Sequence, residues 1–105
     1  MPTIESNRGV VTQINVFTVD SRNQQALIDL LIESARAASE VPGWLSASIH
    51  RSLDGTKVVN YAQSESMESA QSIIDRLRTE GYLDRNKQLA VAHPGLYDVV
   101  FTLDH

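Results

Sequence analysis

Two runs rich in β-branched and aromatic residues, Trp44 to Ser52 and Thr56 to Gln63, meet at Asp54-Gly55. That dipeptide supplies the positive φ angles of a type I′ hairpin turn, so the runs read as antiparallel strands of fixed register. With Leu53 facing Thr56, Arg51 faces Val58, Ile49 faces Asn60 and Ala47 faces Ala62, all on one side of the sheet. Trp44, Ser46, Ser48 and His50 then lie on the other side, opposite Val59, Tyr61 and Gln63. The first side is mostly aliphatic and takes the helices. Asn60 is its polar intruder.

The remaining elements fall around this hairpin. Val10 to Val19 is dense in β-branched and aromatic residues and reads as a buried strand. Ser21 and Gln24 have capping-box spacing, which opens a helix whose stripe is Leu27, Leu30, Leu31, Ser34, Ala35 and Ala38, closed by Pro42-Gly43. Met67, Ala70, Ile73, Ile74 and Leu77 are spaced for a second amphipathic helix that ends at Gly81. A short third helix is expected over Leu83 to Ala92, and Pro94-Gly95 then launches a last strand, Leu96 to Leu103. Residues 1–9 mix Pro, Ser, Asn and Gly and read as a flexible N-terminal arm before a single domain over residues 10–105. The βαββαβ order without an internal linker predicts an α+β, ferredoxin-like fold, an antiparallel four-stranded sheet with helices on one face. The other face carries Trp44, His50 and Tyr61 among serines, and a half-apolar face that no helix covers calls for the sheet of a second copy.

Charge and composition narrow the function. A formal net charge of −4 with scattered basic residues disfavours nucleic acid and anionic lipid as partners. No apolar run approaches a membrane span, and the N-terminus lacks a signal-type apolar core, so a cytoplasmic location is expected. With no cysteine the chain has no thiolate nucleophile. The three histidines, His50, His93 and His105, lack the spacing of metal ligands, and the glycines are isolated, so neither a metal nor a nucleotide cofactor is expected. No serine stands in a nucleophile elbow.

Asn60 carries the chemistry instead. An amide on a face lined by Ala47, Ile49, Val58 and Ala62 must find partners, since an unpaired buried polar group costs about 1 to 3 kcal/mol. It either bonds to backbone or points at an enolate or phenolate oxygen of a ligand held between sheet and helices. Asn15 poses the same question on the first strand, which the ferredoxin-like order makes a neighbour of the third.

The run Val41-Pro42-Gly43-Trp44-Leu45-Ser46-Ala47-Ser48-Ile49-His50, then Asp54-Gly55-Thr56 and Val58-Val59-Asn60-Tyr61-Ala62-Gln63, resembles the antibiotic biosynthesis monooxygenase family. The opening strand, with Asn15 before Phe17-Thr18-Val19, is also similar to small anthrone oxygenases of aromatic polyketide pathways. The resemblance implies a homodimer whose two sheets close into a dimeric α+β barrel. It implies oxidation of a small aromatic substrate, a polyketide, anthrone or quinol, with O2 and with no metal, flavin or nicotinamide cofactor. It gives Asn15 and Asn60 the catalytic roles, hydrogen-bonding the substrate's carbonyl and phenol oxygens. It makes Phe17, Ile49, Ala62, Ser64, Met67 and Ile74 the substrate pocket and Trp44, His50 and Tyr61 the dimer interface. Ser64 stands where most members place a tryptophan, which removes an aromatic wall. Two other readings use the same pocket: a non-oxygenating ligand-binding or accessory protein, and a polyketide cyclase or isomerase.

Overall fold

The structure, a computed structural model, describes residues 9–105, so the expected N-terminal arm lies, save Gly9, outside the described residues. Strand β1 runs Val11–Val19, helix α1 Gln24–Ala38, β2 Trp44–Arg51, β3 Lys57–Ser64, α2 Met67–Thr79, α3 Tyr82–Leu89 and β4 Ala90–Tyr97. The sheet order is β2-β3-β1-β4 with every neighbour antiparallel. This is the ferredoxin-like α+β arrangement that the element order predicts. Strand alternation sends Phe17, Val19 and Val58 to the helix side, where they pack with Leu27 and Leu31 of α1. Each such buried side chain stabilises the fold by about 1.5 to 3 kcal/mol. A second cluster, Ala38, Val41 and Ile73 with Trp44 and Leu77 against it, joins α1 to α2.

The hairpin keeps the expected register, with Arg51, Ile49 and Ala47 opposite Val58, Asn60 and Ala62. Its turn is wider than two residues. The Ser52 N–H donates to Lys57 O (3.0 Å) and the Gly55 N–H to Ser52 O (3.2 Å), leaving Leu53 to Thr56 as the connection. Widening by one residue on each side moves no pair. Gly55, at φ 82°, supplies the left-handed residue. Asp54 Oδ1 accepts from the Thr56 hydroxyl, the Thr56 N–H and the Ser52 hydroxyl. These bonds, the one from the Thr56 side chain first, hold the carboxyl at about 2, below the ordinary 3.8. A carboxyl depressed on folding contributes stability that is complete above its unfolded pKa and lost as pH falls through about 2. Asp54→Asn is therefore expected to flatten the acid limb of a plot of thermal midpoint against pH. Parallel curves for the two proteins between about pH 5 and 2 would contradict this.

A β-bulge changes one face. Trp44 pairs with Ser64 but Ser46 pairs with Gln63, so Leu45 is an extra residue. A one-residue offset reverses side-chain direction. Trp44 therefore stands on the helix side against Ala38, Val41 and Ile73, and not on the outer face with Ser46, Ser48 and His50 as strict alternation puts it. This corrects its expected place at a dimer interface.

Two boundaries also differ. The first helix opens without a Ser21–Gln24 capping box: Asp20 caps a 3-10 turn, Ser21–Asn23, by accepting from the Arg22 N–H (2.9 Å). Gln24 turns inward and donates to Ser52 O and Lys57 O, fastening α1 to the hairpin. The last helix and strand come earlier than expected, because α3 ends at Leu89 and β4 runs straight through Pro94-Gly95. A proline is tolerated there since β4 is an edge strand, paired with β1 alone. Residues 98–105 form no strand. The Tyr97 side chain folds over Gly95, its hydroxyl 2.6 Å from where a Cβ would stand.

Candidate active site

A cavity opens between the sheet and the second cluster. Gln13, Ala47, Asn60, Ala62 and Ser64 form its floor, Ser34, Ala35 and Ala38 of α1 and Ala70, Ile73 and Leu77 of α2 its roof, and Trp44 one wall. The space exists because the sequence puts alanine on the floor and on both helices at positions where strand and helix periodicity face inward. Its enclosed part is about 30 Å³, and with the mouth open to solvent it reaches about 430 Å³. Among the lining residues none is acidic, basic, histidine or tyrosine. The polar groups that face the space are neutral amides and hydroxyls. Ser34 is already committed, its hydroxyl donating to Leu31 O at 2.9 Å.

Asn60 stands out within this lining. Its Oδ1 is buried and has no hydrogen-bond partner among the described residues. Asn15 is directly opposite it across the β1–β3 ladder, so the two amides are cross-strand neighbours on the helix side. Asn15 is not part of the cavity wall. Its Oδ1 accepts from the His93 N–H (3.1 Å), beside Pro94, which has no N–H to offer. That bond fixes the orientation of the Asn15 amide and leaves its NH2 as the free donor.

No protein-family model matches the chain. Over 64 residues it is 41% identical to tetracenomycin-F1 monooxygenase of Streptomyces glaucescens, covering 60% of this chain and 57% of that protein. The chain thus spans little more than half the length of that curated relative. Its fold superposes, at TM-score 0.80 and 28% identity, on a monooxygenase from the ActVA-Orf6 gene of Streptomyces coelicolor solved in complex with the ligand nanaomycin D, over 93% of this chain and 94% of that one. It also superposes, at TM-score 0.83 and 19% identity, on SnoaB, a cofactor-independent oxygenase from Streptomyces nogalater, over 92% and 99% of the two chains. The fold is the one these oxygenases share.

Within the cavity the end of β3 is the informative place. Ser64 is there, buried and on the cavity floor, and Trp44 stands directly across the ladder from it. The aromatic wall of the cavity is thus supplied from β2. Ala62 also lines the cavity. The other residues expected at the pocket do not: Phe17 is in the core with Leu27, Ile49 packs at the edge of that core, and Met67 is exposed at the start of α2. On α2 it is Ile73 and not Ile74 that reaches the cavity. On the outer face His50 receives or gives a hydrogen bond with the Ser48 hydroxyl (2.9 Å), and Tyr61 lies between Ile14 and Ser48.

Charged side chains near the later helices are occupied elsewhere. Arg76 bridges Glu80 and Glu40 (3.1 and 2.7 Å), the acidic partners raising its pKa, Glu80 first. Arg78 pairs with Asp75, and the Arg85 guanidinium lies over the Tyr82 ring at 5.5 Å. Among the described residues no three His, Asp or Glu side chains gather as a metal-binding group. Sequence reasoning missed Gln13, Trp44, Ala35, Ala38, Ala47 and Ala70 as lining residues, and also Asn86 of α3, whose Oδ1 is buried without a partner among the described residues. The alanines carried a signal, small residues at positions where a core would ordinarily be filled.

Proposed function

We propose that the protein is a cofactor-independent monooxygenase that oxidises a phenolic polycyclic substrate, of the anthrone or quinol type, with O2, working in the cytoplasm as a homodimer whose outer sheet faces pair. The observation that carries this reading is the unpartnered Asn60 amide in a cavity otherwise lined by apolar and uncharged groups. An unpaired buried amide oxygen costs about 1 to 3 kcal/mol, which a ligand hydroxyl donating to it recovers, while the amide NH2 is the group that donates to a ligand oxygen. The names of the Streptomyces relatives support the same chemistry.

The substrate supplies the electrons. Loss of a proton from the ring system gives an enolate-like anion, which transfers an electron to O2; recombination forms a carbon–oxygen bond, and the resulting peroxide loses water. A ring CH2 and one O2 thereby become a carbonyl and one H2O. The Asn60 NH2, joined by the Asn15 NH2 across the ladder where the substrate extends past the cavity wall, donates to the substrate oxygens where negative charge gathers, and the largely apolar roof keeps water from competing.

Oxygen uptake by metal-stripped protein with dithranol, a dihydroxyanthrone, tests the reading. The expected product is heavier by the mass of one oxygen less two hydrogens. A product of unchanged mass would replace the oxygenase by an isomerase, and no conversion across a panel of anthrones and quinols would overturn the proposal. The wall's lack of acids and bases adds a second expectation. The pH–rate profile is set by ionisation of the substrate, so two phenols whose pKa values differ by about two units give profiles displaced by about two units. Superimposed profiles would mean that a protein group titrates instead.

A further inference from the structure

The cavity beside Asn60 is too small for the substrate class proposed above, and the structure shows where the missing room lies. Its enclosed 30 Å³ accommodates about two waters. On the far side of Trp44 an open groove of about 290 Å³ runs between α1 and β2. Three residues border both spaces: Ala35, Ala47 and Trp44. The alanines have nothing to move. Among the described residues Trp44 is therefore the side chain whose rotation joins the groove to the Asn60 cavity, and the joined space reaches toward the range of about 300 to 1,000 Å³ of small-molecule sites.

We infer that Trp44 is a swinging wall that admits a planar polycyclic ring system from the groove and then stacks on it, setting the size of substrate that reaches Asn60. The inference rests on the proposed function. The local backbone is built for it. The bulge at Leu45 turns the ring to the helix side and interrupts the ladder next to it. The Trp44 N–H is held by Val41 O at 3.1 Å, so the main chain stays in place while the side chain turns. Ser64, across the ladder, is small enough to leave the ring room. A planar aromatic surface next to an amide suits a fused-ring ligand, because stacking orients the plane while the amide fixes one oxygen.

Trp44 is the only tryptophan of the chain, so its emission reports on this wall alone. The experiment titrates the native protein with 1,8-dihydroxyanthraquinone, a three-ring probe that is not turned over, and with one-ring resorcinol, following binding separately by equilibrium dialysis. The anthraquinone is expected to quench more than about half of the emission and resorcinol to leave it nearly unchanged. In stopped-flow measurements on the probe's visible absorbance, Trp44→Ala is expected to bind the anthraquinone several-fold faster and release it faster still, for a net loss of about tenfold in affinity. Trp44→Phe, which keeps a ring in the cluster, is expected to fall between. Binding of the anthraquinone with unchanged Trp44 emission, or with the same rates in Trp44→Phe as in the native protein, overturns the swinging wall and leaves the oxygenase reading standing. Failure of the anthraquinone to bind the native protein at all overturns both. The native quench and Trp44→Phe decide the matter even if Trp44→Ala does not fold.

Discussion

Asn60→Ala is expected to lower kcat/KM for an anthrone or quinol by about 10² to 10³, while the thermal midpoint stays the same or rises slightly. The two halves of this outcome have one cause. A hydrogen-bonding group aimed at the oxygen where charge develops is worth two to three decades in rate when removed. Most buried polar residues of a central strand would also take stability with them, because their partners are left unpaired. Asn60 leaves none behind: its Oδ1 has no partner among the described residues, so alanine relieves a desolvation penalty at the cost of some packing. Parallel measurement of initial rates and of thermal unfolding separates the alternatives. A variant that lost both activity and stability would mark Asn60 as a structural residue held by the strand, and a variant that kept full activity would remove it from the reaction.

The central pairing was legible because it depends on short-range chemistry. Asp54-Gly55 placed the turn, alternation placed Ile49, Asn60, Ala47 and Ala62 on one face, and the element order placed Asn15 beside Asn60. What alternation cannot show is a bulge, since the extra residue at Leu45 leaves no mark in composition and reverses the direction of Trp44. The same limit applied at Pro94-Gly95. The dipeptide reads as a break, but on an edge strand its missing donor costs nothing to the sheet, and Asn15 takes up the neighbouring His93 N–H. Pocket residues were the least legible. Met67, Ile74, Phe17 and Ile49 share the right elements, yet which inward positions meet the core and which meet the cavity depends on how α1 and α2 lie over the sheet. Leu27 fills the space above Phe17, while Ala35, Ala38 and Ala70 leave the space above Asn60 open.

Tyr61→Asp is expected to convert the proposed dimer to monomer and to lower the unfolding temperature of the protein markedly. The outer faces of the two central strands carry Ile14 and Val16 of β1 and Val59 and Tyr61 of β3, paired Ile14 with Tyr61 and Val16 with Val59. Strand alternation puts all four on the side opposite α1 and α2, flanked by Ser46, Ser48 and His50 of β2. An apolar centre within a polar rim is the pattern of a face that pairs with its own copy. In a two-fold interface each substitution occurs twice, and an unpaired carboxylate buried against an apolar sheet costs about 3 to 5 kcal/mol. Two of them weaken association by at least about 10⁴-fold, enough to dissociate the pair at micromolar concentration. A small domain that has lost its covered face then unfolds at lower temperature and at a midpoint that no longer depends on protein concentration. Sedimentation equilibrium gives the mass and calorimetry the midpoint. Trp44→Phe is the control, because Trp44 faces the helices and its substitution is expected to leave the mass unchanged. A native protein that sediments as a monomer, or a Tyr61→Asp variant that stays dimeric, would contradict the pairing of the outer faces.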